Sequence, residues 1–425
     1  MNNINVYNPK RGISALIFIL YSIYYISGYT SSLHNYVIVS LFLLWNVIAF
    51  VEDKKAYNYA VGNKCFIWLF FYILYYFISS FIEASLIYTL EYVIIYLCIY
   101  GTIIQYKYYI YRKNLKEIFF IVKMLILGFV VFSIIAIGFY TIHPSAARTL
   151  AANYYAFDNI AIGGGYSIAF GASLFSVYLF ELLIRKKYLK KRVYCVFLLI
   201  FILFEILLIK TESTTTLIAN LSGILMGLII KYYNAGGRKE YKLIISLILI
   251  IAFGAIVLNI NEIGSYITDI TSSGVNNVLI RRFNRIGLKL KYQGVKSGYT
   301  NYVDERFGTI LTSWNTFLKY PIFGVGYQCG NVFSLLEKYG VGTHSELVDV
   351  LAQFGIIGFI FWGLFIRNSI KYQNNKLKCN GWKMTLIIML IFNPFRSFHG
   401  YVVIFFLIPM IEYLIENDNG LLIRT

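Results

Sequence analysis

Apolar runs long enough to cross a membrane recur from residue 12 almost to the end of this 425-residue chain. A helix needs about 20 apolar residues to cross roughly 30 Å of hydrocarbon. Continuous apolar runs indicate helices, because membrane barrels need alternating strands and lipid leaves no backbone group unpaired. The sequence therefore predicts an all-α polytopic membrane protein with about twelve transmembrane helices. We expect these helices at approximately 12–29, 35–51, 65–82, 86–106, 118–142, 161–184, 192–210, 213–230, 241–260, 344–366, 382–395 and 397–415.

The composition excludes a soluble globular protein. Hydrophobic residues make up 59% of the chain and charged residues 14%, and the mean hydropathy is +0.66, far outside the soluble range. One long polar stretch separates the ninth predicted helix from the tenth. We therefore expect three parts: residues 1–260 with helices one to nine, residues 261–343 as one large external loop, and residues 344–425 with helices ten to twelve and a tail.

The placement of lysine and arginine orients these helices. If the N-terminus is cytoplasmic, the short cytoplasmic segments hold 25 of the 38 basic residues, and the short external segments hold only three. Such an asymmetry is a strong positive-inside signal, from which long loops are exempt. We therefore expect both termini inside and the large loop outside. The net charge of +18 then has a topological role, and no nucleic-acid partner is predicted.

The sequence predicts no metal and no cofactor. Its four histidines, His34, His143, His344 and His399, are widely separated, and it contains neither Cys-x-x-Cys nor His-Glu-x-x-His. A phosphate-binding glycine-rich loop followed by Lys-Ser/Thr is also missing from the sequence, which argues against nucleotide hydrolysis.

Three ionisable residues fall within predicted helices: Glu91, Lys123 and Glu205. Each would cost about 2.5–3.5 kcal/mol at the centre of an isolated helix, so each should face protein or water. A transport pathway would explain them. A polar lining beneath an external site, or a pair such as Glu91 with Lys123, would explain them equally well.

Inside the large loop, apolar residues recur at the spacing of one helical face. They are Phe307, Ile310, Leu311, Trp314, Phe317 and Leu318. Asp304 is available as the N-cap of this predicted helix, and Pro321 follows its C-terminal end. This amphipathic helix either floats at the membrane interface or covers a cavity and carries Arg306 towards a bound anion.

Two further motifs follow this helix. Residues 321–326 form a proline-led turn in which Gly324 and Gly326 either let the backbone approach a ligand or simply make the turn. His344 then stands where the loop meets the tenth helix. An imidazole there can exchange protons near neutral pH, although a structural histidine at a helix start is the alternative.

This set of motifs resembles the superfamily of O-antigen ligases and Wzy-type O-antigen polymerases. It consists of Arg306, Trp314, the turn at 321–326 and the motif His344-Ser345-x9-Gly355-x-x-Gly358. The expected twelve helices, cytoplasmic termini and one large external loop are also features of that family. The resemblance is clear over roughly residues 205–366.

Upstream of that region the resemblance is looser. Arg148 precedes Asn153 and three glycines. This segment is similar to the family's arginine loop, in which a basic side chain contacts the lipid-linked pyrophosphate. Residues 210–215 resemble a Thr-x-Ser-Arg segment, but Thr214 stands where an arginine is common. Lys210 is the candidate to replace that arginine.

The resemblance implies a nucleotide-independent glycosyltransferase that acts on undecaprenyl-diphosphate-linked glycans at the outer face of a bacterial inner membrane. A polymerase adds repeat units to one another, whereas a ligase, the alternative, transfers the glycan to lipid A core. A bias to Ile, Tyr, Asn and Lys indicates an AT-rich coding region, as in the variable sugar-assembly loci where polymerases are often found. A chain-length regulator, a flippase and membrane lipids are further expected partners. A flippase or transporter is the alternative from another class, but the candidate residues gather at one surface rather than midway through the bundle.

The resemblance also implies roles for individual residues. His344 would be the general base, and Arg306 would stabilise the departing pyrophosphate. Further candidates for binding pyrophosphate or glycan are Arg148, Arg281, Arg282, Arg285, Gly324, Gly326 and Arg396. The cluster at 281–285 could equally be a solvated loop face.

Overall fold

The computed structural model describes residues 9–21, 32–83, 86–143, 146–147, 150, 166–185, 189–235, 260–271, 284, 301–326, 340–342, 344–371, 379–392, 400 and 402–417. Within these ranges every regular element of more than one residue is a helix, which confirms the predicted all-helical class. Most of the expected ninth helix, at 241–260, lies outside the described residues.

The helices follow the predicted apolar runs closely in the first two thirds of the chain. They are α1 (Pro9–Leu20), α2 (Ser32–Glu52), α3 (Lys54–Val61), α4 (Lys64–Glu83), α5 (Leu86–Tyr111), α6 (Leu115–Ile142), α7 (Ser167–Ile184), α8 (Lys191–Thr211), α9 (Thr214–Ala235), α10 (Ile260–Thr271), α11 (Asn301–Lys319), α12 (Glu346–Lys371), α13 (Gly381–Phe392) and α14 (Ile408–Asn417). A π-helical turn, Val403–Leu407, leads directly into α14.

Five of the described helices are long and apolar enough to cross a membrane: α6, α7, α8, the first 19 residues of α9, and most of α12. The count becomes six if α3 and α4, which meet at 58°, form one broken span. Twelve spans are therefore an expectation that the described residues do not confirm. The described part of α13 has 12 residues, which is about 18 Å of helix.

The described helices bring several predicted cytoplasmic segments together at one end of the bundle. Lys10 and Arg112 both pair with Glu52, and Arg11 lies 3.9 Å from Glu117. These residues mark the start of α1, the end of α2, the end of α5 and the start of α6, and we call this region the cationic end. The other end carries His344 and is called the histidine end.

Small residues bring α9 and α13 into close contact. A Cβ atom added to Gly223 would overlap the Thr385 hydroxyl, and one added to Gly381 would overlap the carbonyl oxygen of Gly223. Gly227 stands one turn further along α9 and faces Gly381 as well. Such small-xxx-small spacing lets helices in a membrane approach closely, and it holds α13 against α9 beside α12.

Two of the three ionisable residues within the expected spans can be compared with the structure. Glu205 accepts hydrogen bonds from Ser176 on α7 and, at 3.2 Å, from Asn220 on α9, so it faces protein as expected. Lys123 is exposed on α6. It lies two turns from the start of that helix, from where a long side chain can reach the interface. The side chain of Glu91 lies outside the described part.

Candidate active site

The helix that follows His344 begins with a reciprocal cap. The hydroxyl of Ser345 accepts from the backbone N–H of Val348 at 3.4 Å. In return, the carboxylate of Asp349 accepts from the N–H of Ser345 at 3.1 Å. Such an exchange satisfies donors that a helix start leaves open, and an acid there also suits the helix dipole. The residue next to His344 is thereby fixed, and its side chain is fully buried.

Asp349 also ties α12 to the amphipathic helix α11. Its second carboxylate oxygen accepts from the hydroxyl of Ser313 at 2.6 Å, and both residues are buried. The Ser313 oxygen in turn accepts from the N–H of Gly342 at 2.8 Å. One turn along α11, Thr316 exchanges hydrogen bonds with the backbone of Gly340. These contacts fix α11 against the segment that leads into His344.

Helix α12 is interrupted at Gly355, whose φ of 59° and ψ of −165° are not helical. An interruption of this kind frees carbonyl and N–H groups that would otherwise pair four residues apart. The turn at 321–326 fills the gap. Its Val325 and Gly326 N–H groups donate to the carbonyls of Ala352 and Gln353. In the other direction, α12 donates two N–H groups to the turn, from Ile356 to Pro321 at 2.8 Å and from Ile357 to Ile322 at 3.4 Å.

Glycine is required on both sides of this junction. Gly324 has a φ of 72° and Gly355 a φ of 59°, a region that residues with a Cβ atom rarely adopt. A Cβ atom at Gly324 would overlap the carbonyl oxygen of Gln353, and one at Gly355 would overlap that of Ile322. The two motifs recognised separately in the sequence are thus the two halves of one contact, which we call the turn–helix junction.

A tyrosine from α4 completes the junction. The Tyr75 hydroxyl donates to the carbonyl of Phe323 at 3.2 Å and to that of Phe354 at 3.1 Å. An added Cβ atom at Gly358 would come within 3.0 Å of the Tyr75 ring. The second glycine of the Gly-x-x-Gly motif therefore makes room for this side chain.

Contacts of α13 show where the Thr-x-Ser segment, residues 211–213, lies relative to His344. Thr385 donates to the carbonyl of Ala219 at 3.1 Å, and Ser345 donates to that of Leu390 at 3.4 Å. Because α9 and α13 run in opposite directions, Leu390 is level with Thr214 at the start of α9. Residues 211–214 and Ser345 therefore lie at the same end of the bundle. Lys210 is exposed there, whereas Thr211 and Ser213 are buried.

Two predicted catalytic residues occupy neighbouring elements at the histidine end. His344 is half-buried directly before Ser345. Arg306 lies in α11, seven residues before Ser313, so its Cα is on the Ser313 side of the helix and about 10 Å further along the axis. The side chain of Arg306 lies outside the described part, as do all of Arg148, Arg281, Arg282, Arg285 and Arg396.

The start of the amphipathic helix differs from its prediction. It begins at Asn301, so Asp304 lies inside the first turn and is not the residue before it. Three residues of the predicted apolar face, Leu311, Trp314 and Leu318, are 42–59% exposed, while Ser313 and Thr316 are fully buried. Small hydroxyl residues pack more closely against glycines and a helix start than large apolar residues would, and here they also make the hydrogen bonds.

Sequence reasoning missed the residues that assemble the site. The sequence patterns singled out none of Asp349, Ser313 and Tyr75. One signal was available: an acid four residues after a serine at a helix start is close to the pattern of a capping box. The N–H groups of Gly324 and Gly326 already donate within the protein, so ligand contact through these two glycines stays a prediction.

Comparison with known protein families gives a match that includes the turn–helix junction. Residues 196–363 match the family described as Wzy_C, O-antigen ligase, a region that runs from α8 through the turn–helix junction into α12. A search of curated proteins gave no match. Family members are membrane enzymes of the glycosyltransferase type, acting as ligases or polymerases. Over residues 196–363, the chain is thus similar to the O-antigen ligase superfamily.

Proposed function

We propose that the protein polymerises undecaprenyl-diphosphate-linked oligosaccharide repeat units at the outer face of a bacterial cytoplasmic membrane, with both termini inside. The observation that carries this proposal is the position of His344. It stands half-buried at a helix start that Asp349 clamps to α11, the helix with Arg306. This arrangement lies inside the family-matched region.

In the proposed reaction, the imidazole of His344 takes the proton from a hydroxyl group of the acceptor sugar. The oxygen of that hydroxyl forms a bond to the anomeric carbon of the donor glycan. The bond between this carbon and the diphosphate oxygen breaks, and its electron pair leaves with the undecaprenyl diphosphate. No nucleotide sugar and no metal takes part in these steps.

The leaving diphosphate gains negative charge, which guanidinium groups stabilise through paired, charge-assisted hydrogen bonds. Arg306 and Arg148 are the first candidates for this role. Arg281, Arg282, Arg285 and Arg396 are further candidates because all of them belong to segments expected on the external side. Lys210, exposed at the start of the turn between α8 and α9, is the candidate to replace the arginine that Thr214 displaces.

The test is reconstitution in vesicles with purified undecaprenyl-diphosphate repeat units, with lipid A core added to a parallel sample. Growth of a glycan ladder without core supports a polymerase. Product that forms only with core makes the protein a ligase, and movement of substrate across the bilayer without bond formation makes it a carrier.

In the same assay, His344→Ala should lower the rate about 10²- to 10⁴-fold, the usual contribution of a general base, with unchanged abundance and single repeat units left over. Arg306→Ala should also abolish the ladder. The matched control is His143→Ala, because His143 is exposed at the end of α6 and belongs to no part of the proposed site. Normal ladders from His344→Ala and Arg306→Ala would end the catalytic assignment.

A further inference from the structure

The turn at 321–326 lies deep along the membrane-spanning helices. Tyr75 reaches its Phe323 carbonyl and the Phe354 carbonyl of α12 at once, so both are level with Tyr75. In α4, Tyr75 is 11 residues from Lys64 and eight from Glu83, which is about 16 Å and 12 Å along the axis. The turn is therefore close to the middle of α4.

Helix α12 places the turn at a similar depth. Gly355, against which the turn packs, follows the first residue of α12 by nine residues, which is about 13 Å. Most of α12 is apolar enough to span a membrane, and its remaining length beyond Gly355 is about 24 Å. The turn thus lies well inside the span and away from the start of the helix, where His344 stands.

Helix α11 descends to this depth beside α12. Its Ser313 is level with Asp349, and the turn that follows reaches Ile356 and Ile357. Contacts between α11 and α12 therefore advance along both helices in the same direction, so the two helices are parallel. After the turn the chain returns, because Gly340 and Gly342 contact Thr316 and Ser313 again.

Much of the backbone of the turn is paired within the protein, as a lipid environment favours. The carbonyls of residues 320–323 all accept hydrogen bonds, and the N–H groups of residues 324–326 all donate them. Irregular backbone is tolerated at membrane depth only where it is buried in protein or lines a water-filled cavity. A turn at an aqueous surface has no such need, since water can pair with its backbone.

The side chains around this paired backbone are apolar and exposed. Leu311, Trp314 and Leu318 form one flank of α11, and Ile322 and Phe323 continue it in the turn at 55% and 66% exposure. Next to them on α12, Ile356 and Ile360 are exposed as well. The apolar flank of α11 is thus continuous with the outward-facing surface of a membrane-spanning helix.

The opposite flank of α11 is polar. Seen along the axis of α11, two groups of side chains lie about 100–160° from Ser313, in opposite directions. The polar group consists of Thr312, Asn315 and Lys319. The apolar group consists of Leu311, Trp314 and Leu318. Lys319 is exposed. Helix α11 therefore separates an apolar flank from a polar flank, as a helix between lipid and an aqueous cleft would.

We propose that α11 and the turn at 321–326 form a re-entrant segment, whose apolar flank contacts lipid hydrocarbon chains in the leaflet at the histidine end. The segment enters beside α12, turns near the middle of the membrane against the interruption at Gly355, and returns to the His344 end. This topology does not depend on the proposed reaction.

Spin labels on single cysteines test it, in vesicles and in a background without the native cysteines. Labels at Leu311, Leu318 and Phe323 are compared for contact with oxygen, which dissolves in lipid, and with a water-soluble nickel chelate. A re-entrant segment predicts increasing depth in that order, with about 10 Å between residues 311 and 318. A label at Phe323 should match a label at Ile356, which is exposed at the level of the turn, and a label at His143 supplies the aqueous reference.

Equal, shallow depth at all three positions would mean a helix lying flat on the membrane and would overturn the proposal. Contact with nickel at Phe323 equal to that at His143 would also overturn it, because the turn would then lie in water. Each labelled protein must elute as a single species in detergent. If Phe323→Cys does not fold, Ile322→Cys on the same exposed turn takes its place.

Discussion

The cationic end and the histidine end of the bundle are held together by different interactions. At the cationic end, Glu52 pairs with Lys10 and Arg112, and the ammonium group of Lys10 also lies 4.7 Å from the centre of the Tyr108 ring. At the histidine end, the described contacts are hydrogen bonds of hydroxyls and backbone groups, with Asp349 as the central carboxylate. Charge pairs join one end, and close backbone packing joins the other.

This difference fits what each end has to do under the proposed function. Cations fix the orientation of the helices, and pairing with one shared acid needs only approximate geometry. A reacting end must hold its groups within a fraction of an ångström. Hydrogen bonds between backbone groups and short side chains achieve this because they have few rotatable bonds.

The largest effect should come from Gly355→Ala at the turn–helix junction. The new Cβ would overlap the Ile322 carbonyl, and the residue would keep a positive φ. Strain and overpacking together should cost about 3 kcal/mol or more. We expect a much lower thermal midpoint in detergent and loss of the glycan ladder.

The control for this prediction lies on the same helix. A Cβ atom at Gly363 would meet nothing within 4 Å, so Gly363→Ala should be neutral or stabilising by up to about 1 kcal/mol. Gly324→Ala should resemble Gly355→Ala, and the double substitution should cost less than the sum, because both break one contact. Additive losses would show that the two glycines act separately.

The sequence predicted the parts of this molecule that depend on local patterns. Apolar length gave the helical class, and the spacing around Trp314 gave α11. The contact between residues 321–326 and Gly355 could not be predicted, because it joins segments about 30 residues apart through backbone groups, which every sequence contains. The partnership of Asp349 with Ser313 was hidden for a similar reason, since a single hydroxyl has many potential partners. The side of α11 that packs could not be predicted, because Ser313 and Thr316 carry no apolar signal.

The next largest effect should come from Asp349→Ala. It leaves the Ser313 hydroxyl and the Ser345 N–H without their acceptor in a buried place, which should cost about 1–3 kcal/mol. Asp349→Asn keeps one acceptor oxygen and should cost less, and Ser313→Ala should give a loss of similar size to Asp349→Asn. Thermal midpoints in detergent measure all three. A wild-type midpoint for Asp349→Ala would mean that the clamp between α11 and α12 does not stabilise the fold.

The smallest effect should come from Glu52→Gln at the cationic end. Lys10 is almost fully buried, but Glu52 is 41% exposed, so solvent screens the pair and its loss should cost about 1 kcal/mol. Salt distinguishes this end from the other. At about 1 M salt the screening length falls to about 3 Å, so the difference in midpoint between wild type and Glu52→Gln should shrink, while that between wild type and Asp349→Ala should not. If both differences respond equally to salt, then charge holds the two ends to the same degree, and the contrast between them lies only in the backbone contacts around Gly355.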